Sequence, residues 1–200
     1  MRLSKVEFLA MNNPIRRYVQ KHLELKIIKE HLKKHNIFLE GKIILDAGCG
    51  SGYSTQLIIN EFKPSKIFAF DFMEEQIRLA KKRNLVAEFS IGDVANINFD
   101  SNTFDAVFVF GVLHHVPEWR KALSEIARVL KPGGIFIVEE LNGFVITIAN
   151  LLGFTHPKEA QFKWNEFIAE LNIAGFKILE QKKIILNEAK SFLCRKEGDK

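Results

Sequence analysis

From Gly41 onward, short apolar runs bounded by turn residues alternate with amphipathic stretches, and this alternation leaves few folds open to the chain. KIILDA, KIFAFD, AEFSI, FDAVFVF and IFIVEEL read as strands, and STQLIINEF, MEEQIRLAKKR and PEWRKALSEIARVL read as the helices between them. Strands joined by helices form parallel crossovers, with helices on both sheet faces. KPGG reads as a turn before the fifth strand, and EAQFKWNEFIAELNIAG as a helix ending at Gly175. FKILEQKKIIL and KSFLCRKE are separated by too few residues for a crossover, so they form a hairpin with at least one antiparallel strand. Ahead of this pattern, Asn13 is a helix cap and Pro14 suits a first helical position. Ile15, Tyr18, Val19, Leu23, Ile27, Ile28 and Leu32 then recur at helical spacing. The reading is an amphipathic helical extension over residues 1–40 and one α/β domain over 41–200. A chain of 200 residues, 47% hydrophobic, suffices for a substantial single core.

The stretch IILDAGCGSG at 43–52 runs from the first strand into the first helix of that pattern. In an open α/β sheet, ligands bind beyond the C-terminal ends of the strands, so this loop is well placed for a nucleotide-like cofactor. Its spacing decides which kind. A dinucleotide fingerprint starting at Gly48 and Gly50 needs glycine at 53, where Tyr53 stands. A phosphate-binding P-loop needs Lys-Ser/Thr after its last glycine, but Gly52 is followed by Tyr53 and Ser54. Asp46 just before the glycines would repel a phosphate and attract an ammonium group, which points to a cofactor with an amino-acid end. Asp71 closes the second strand about twenty residues beyond the loop, where a carboxylate reaches ribose hydroxyls. Asp93, in GDV after the third strand, falls near an adenine edge.

LDAGCGSG, Asp71, GDV, FDAVFVFGVLHHV and LKPGG, in this order and spacing, resemble the class I S-adenosylmethionine-dependent methyltransferases, in the small-molecule, type 11-like branch. The resemblance is strong over about residues 41–140. It implies a doubly wound, seven-stranded, mostly parallel Rossmann-like sheet with the last strand antiparallel, here with an added N-terminal helix. It also implies S-adenosylmethionine as cofactor and S-adenosylhomocysteine as product. The backbone of Ala47, Gly48, Cys49, Gly50 and Gly52 would pass under the methionine part, with Asp46 holding its amino group directly or through water. Asp71 would take the ribose hydroxyls, and Phe72 and Met73 would lie against the adenine. Asp93 would accept from the adenine amino group and the Val94 N–H would face a ring nitrogen. Phe110 and Gly111 would lie along the methionine portion. The activity implied is in-line methyl transfer to a small molecule. The alternatives are a methyltransferase-like module that binds RNA, protein or membrane, and an NAD-dependent oxidoreductase, which the glycine spacing disfavours.

An acceptor that must lose a proton needs a base, and His114, His115 and Glu140, with neighbouring Glu139, stand at the right sheet edge. The apolar stretch NGFVITIANLLGFTHP after the fifth strand is long for a connection and reads as a lid over a lipophilic acceptor. Tyr18, His114, Phe144, Phe154 and His156 are therefore candidate acceptor contacts. No Asn/Asp-Pro-Pro-aromatic motif follows the fourth strand and neither cysteine follows a proline, so those routes to base methylation are disfavoured.

Residues 1–42 hold ten Lys and Arg against four Asp and Glu, whereas residues 43–200 hold nineteen against twenty. The basic excess thus lies in the N-terminal helix, which could touch an anionic membrane surface; nothing marks a nucleic-acid site. Cys49 and Cys194 lie far apart without metal-ligand spacing, so the expectation is a reduced cytoplasmic protein with no metal. No secretion signal or apolar run of membrane-spanning length is read in the sequence.

Overall fold

In a computed structural model, residues 12–143, 146, 147, 150, 156–185 and 188–198 are described. The first helical stretch comprises α1 (Pro14–Val19), a π-helical segment (Gln20–Glu24) and α2 (Leu25–Lys34). Asn13 caps it as expected, its side chain accepting the Arg16 N–H at 2.8 Å. The α/β pattern follows as β1 (Ile43–Ala47), α3 (Tyr53–Phe62), β2 (Lys66–Asp71), α4 (Glu74–Lys81), β3 (Glu88–Ile91) and β4 (Phe104–Phe110). After a 3₁₀ turn at Leu113–His115 come α5 (Trp119–Val129), β5 (Leu130–Leu141), α6 (Trp164–Ile173), β6 (Phe176–Ile185) and β7 (Ala189–Lys196).

The seven strands form one sheet in the order β3-β2-β1-β4-β5-β7-β6. The pairs among β1 to β5 are parallel, while β7 runs antiparallel to both β5 and β6. This is the expected doubly wound sheet with its antiparallel final strand. Two local expectations change. The helix expected from Glu159 starts only at Trp164, after a separate 3₁₀ turn at Lys158–Ala160. KPGG lies inside β5 as a bulge: Leu130 pairs with Phe104 and Ile135 with Ala106, so four residues loop out between the two contacts.

Alternation along the strands divides the core between two faces. Leu45, Val107, Val109, Phe136 and Val138 pack with Trp119, Leu123 and Ile126 of α5 and Phe167 and Leu171 of α6. Ile44, Ala106, Phe108, Ile135 and Ile137 pack with Ile28 and Leu32 of α2 and Ile58 of α3. The N-terminal helix thus contributes core side chains to one helical layer. Phe136 lies fully buried at the centre of the other face, its ring 5.1 Å from that of Phe176. Phe136→Ala should lower unfolding free energy by about 3–5 kcal/mol, because it removes a buried aromatic and leaves a cavity. Urea denaturation of the two proteins checks this.

Candidate functional site

Asp46 follows Ile44 by two residues on β1 and so faces the helical layer that contains α3. Its Oδ2 accepts hydroxyl hydrogen bonds from Ser54 at 2.7 Å and Thr55 at 2.6 Å, which fastens the first turn of α3 to the strand. Between these anchors the loop bends through left-handed glycines. Gly48 has φ +81°, and a Cβ there would stand 2.4 Å from Val112 Cγ2. Gly50 has φ +53°, and a Cβ there would project into open space. The Phe70 carbonyl accepts the N–H groups of Gly48 at 2.8 Å and Cys49 at 2.9 Å, tying the loop to β2. The Asp71 carboxylate accepts the Gly50 N–H at 2.9 Å through Oδ2 and the Met73 N–H at 2.9 Å through Oδ1.

Beyond these strand ends lies a cleft of about 340 Å³. Of the residues singled out in the sequence, Gly48, Cys49, Gly50, Asp71, Phe72, Met73, Asp93, Val94, Phe110, Gly111 and His115 line it. Asp93 also accepts the Ala95 N–H at 2.8 Å, closing the turn after β3. Asn12, Gln20, Tyr53, Gln76 and Glu118 line it too, and no motif marked them. Arg16 reaches the wall and pairs with Glu24 at 2.7 Å.

Several expected contacts lie elsewhere. Asp46, Ala47 and Gly52 sit outside the cleft lining, and Asp46 is wholly buried. Burial pushes the Asp46 carboxyl up to about 6, against the opposing hydroxyl hydrogen bonds, and nearby Asp71 raises it further. Its Oδ1 has no hydrogen-bond partner among the described residues. Tyr18 is 66% exposed and rests against His22, its ring centroid 4.4 Å away, so it is no part of the cleft. Phe144 and Phe154 lie outside the described residues.

Glu140 points to the opposite face from Glu139 and is fully engaged. Its Oε1 accepts the N–H groups of Val112 at 2.9 Å and Leu113 at 2.6 Å, and its Oε2 meets His114 Nδ1 at 2.7 Å. Glu140 therefore shapes the turn after β4 and holds His114, which is itself buried behind the cleft wall. His115 does reach the cleft; burial, with His114 and His156 beside it, pushes its pKa down to about 2, so its ring is neutral. Glu139 is buried beneath the π segment, where burial and neighbouring Glu24 raise its pKa well above the usual range. Cys49 is buried with its thiol pushed up by burial and by Asp46 and Asp71, which fits a packing role rather than a nucleophile.

The cleft fits the cofactor inferred from the sequence. The loop offers bare backbone with open space above Gly50, Asp71 stands at the end of β2, and buried negative charge lies beneath the floor at Asp46. A family model described as a methyltransferase domain matches residues 45–138, which span this loop through most of β5. Over these residues the chain is similar to that methyltransferase family. It is 33% identical over 113 residues to the phthiotriol/phenolphthiotriol dimycocerosates methyltransferase of Mycobacterium tuberculosis, covering 56% of this chain and 42% of that protein. It is 35% identical over 101 residues to the fatty-acid O-methyltransferase of Mycolicibacterium smegmatis, covering 50% and 37%. It is also 37% identical over 118 residues to a sterol 24-C-methyltransferase of Gibberella zeae, covering 56% and 31%. The chain therefore spans less than half the length of each of these relatives. Among solved structures, a S-adenosylmethionine-dependent methyltransferase from Clostridium acetobutylicum superposes with a TM-score of 0.75 at 17% identity, covering 94% of this chain and 97% of that one. One from Aquifex aeolicus gives 0.73 at 20%, covering 98% and 100%. At these identities the likeness is one of fold.

The raised pKa of Asp46 has a testable sign. The unfolded carboxyl titrates near 3.8 and the folded one near 6, so the folded state binds more protons between these values. Stability from this group is thus greatest at acidic pH and falls as pH rises through about 6. Asp46→Asn removes that titration. Between pH 4 and pH 8 the stability of the ligand-free variant, relative to the parent, should shift in its favour by roughly 2–3 kcal/mol. Chemical denaturation of both proteins at the two pH values measures it.

Proposed function

We propose that the chain transfers a methyl group from S-adenosylmethionine to a small lipophilic acceptor. The observation that carries this reading is the alignment of the bare glycine loop, Asp71 and Asp93 along one cleft at the C-terminal edge of the parallel strands. Bound there, the cofactor would supply an electrophilic methyl group on a sulfonium. The protein's part is then to bind, orient and exclude water. Backbone at Gly48–Gly50 would cradle the methionine end, and the Asp46 charge below would favour its ammonium group. Asp71, already fixed by two backbone N–H groups, would accept from the ribose hydroxyls with its remaining lone pairs. Asp93 and Val94 would meet the adenine. The Gly48–Gly52 spacing weighs against a nicotinamide dinucleotide.

His115 lines the cleft, whereas His114 and Glu140 are committed to each other; with its basicity so far reduced by burial, the His115 ring would contact the acceptor rather than take its proton. The lipophilic acceptor is supported by the names of the relatives, which act on phthiotriol dimycocerosates, a fatty acid and a sterol. Exposed Ile15 and Tyr18 on the basic N-terminal helix support peripheral contact with an anionic membrane, where such acceptors reside. Among the described residues no helix is long and apolar enough to cross a membrane. Both cysteines are free and buried, in keeping with a cytoplasmic setting.

The test is an incubation with methyl-tritiated S-adenosylmethionine and, separately, a long-chain fatty acid, a sterol, a mixed phospholipid extract, total RNA and total protein. Label should pass into the organic phase with one of the lipophilic substrates. Label on RNA or protein alone would contradict the acceptor class.

A further inference from the structure

Three histidines from two distant parts of the chain meet beside the cleft. His114 and His115 lie on the 3₁₀ turn after β4, and His156 lies in the segment between β5 and α6. The His115 and His156 rings stack with centroids 4.7 Å apart, and His114 lies 4.2 Å from His115 and 5.4 Å from His156. One ring nitrogen from each can be chosen so that all three fall within 4.8 Å of one another.

The hydrogen bonds around the cluster fix where two of the rings carry their protons. His114 Nδ1 faces Glu140 Oε2 at 2.7 Å. Because that carboxylate is an acceptor, Nδ1 carries the proton and Nε2 keeps its lone pair. His156 Nδ1 faces Asn150 Oδ1 at 2.7 Å, and the same oxygen accepts the His156 backbone N–H at 3.0 Å. The backbone donor fixes this atom of Asn150 as the oxygen, so His156 Nδ1 is again the donor and the lone pair of the neutral ring is on Nε2. His115 has a buried Nδ1 with no hydrogen-bond partner among the described residues. Two of the three imidazoles are thus oriented through their far nitrogen by a carboxylate and an amide, the outer-shell arrangement that metal-ligating histidines use.

We propose that His114, His115 and His156 form a mononuclear site for a divalent transition metal of the Zn²⁺ class. Three imidazole nitrogens at about 2.0–2.1 Å from a tetrahedral ion stand roughly 3.3 Å apart, so nitrogens now within 4.8 Å of one another must draw closer around an ion. Imidazole ligands suit Zn²⁺ over Mg²⁺ or Ca²⁺, which take oxygen. Three protein ligands leave one position for an outside donor. The site joins the turn after β4 to the segment beyond β5, and His115 brings it to the cleft wall. It departs from the metal-free expectation drawn from the sequence, and it stands independently of the methyl acceptor.

The untagged full chain, freed of metal with a chelator, should be titrated with ZnCl₂ by calorimetry, with Co²⁺ absorption reporting the geometry. One equivalent of Zn²⁺ should bind with submicromolar affinity, and Co²⁺ should give the intense visible bands of a tetrahedral site. His156→Ala should weaken Zn²⁺ binding at least tenfold while circular dichroism and thermal unfolding stay those of the parent. Asn150→Ala should weaken it about 10–100-fold, by loss of the orienting hydrogen bond. His35→Ala, on a remote histidine, should leave it unchanged. No saturable binding by the folded parent would overturn the proposal, and so would affinity retained in both His156→Ala and a folded His115→Ala variant.

Discussion

The carboxylate of Asp71 accepts backbone hydrogen bonds from Gly50 and from Met73, and the cleft depends on that pair of hydrogen bonds. One contact fixes the crest of the glycine loop, and the other fixes the chain as it leaves β2 for α4. The parallel pairing of β1 with β2 brings both loops to the same sheet edge, with Asp46 opposite Ala69 and Ala47 opposite Phe70. Asp71 is largely buried, and burial raises its pKa even against those two backbone donors. A charge is therefore held where bulk water cannot fully solvate it, which favours a ligand that offers hydroxyl donors.

The cofactor half of the site was legible because its constraints are local. Left-handed backbone at Gly48 and Gly50 requires glycine, and a carboxylate at the end of β2 has one residue to itself. Alternating apolar runs gave the sheet, including the antiparallel β7, because a short connection allows no crossover. The sequence puts Asp46 on the cofactor's amino group, directly or through water, but strand alternation turns it toward Ser54 and Thr55, beneath the floor. Tyr18 was placed over the acceptor by extending one helical stripe through the whole N-terminal helix. The π segment at Gln20–Glu24 inserts extra residues per turn and rotates what precedes it by about 100° per added residue. Tyr18 and Ile15 consequently face solvent, while Gln20 and Glu24 are buried.

The acceptor side was less legible because its groups converge from far apart in sequence. His114 and His156 are forty-two positions apart, and only the sheet brings their rings together. Glu140 looked like a base because it ends β5 at the right edge. Its two oxygens are instead taken by two backbone N–H groups and by His114, so it builds the turn that presents His115. Tyr53 and Gln76 carry no motif; they line the cleft because α3 and α4 begin at its rim.

The cleft is proposed to hold the amino-acid end and ribose of a sulfur cofactor rather than a dinucleotide. Calorimetric titration of the full chain and of Asp71→Ala with S-adenosylhomocysteine, and separately with NAD, tests it most directly. The parent should bind S-adenosylhomocysteine and not NAD, and a folded Asp71→Ala variant should lose at least tenfold in affinity, as expected from removing charge-assisted hydrogen bonds worth about 1.5–3 kcal/mol each. Binding of NAD without S-adenosylhomocysteine, or an unchanged dissociation constant in the folded variant, would contradict the account.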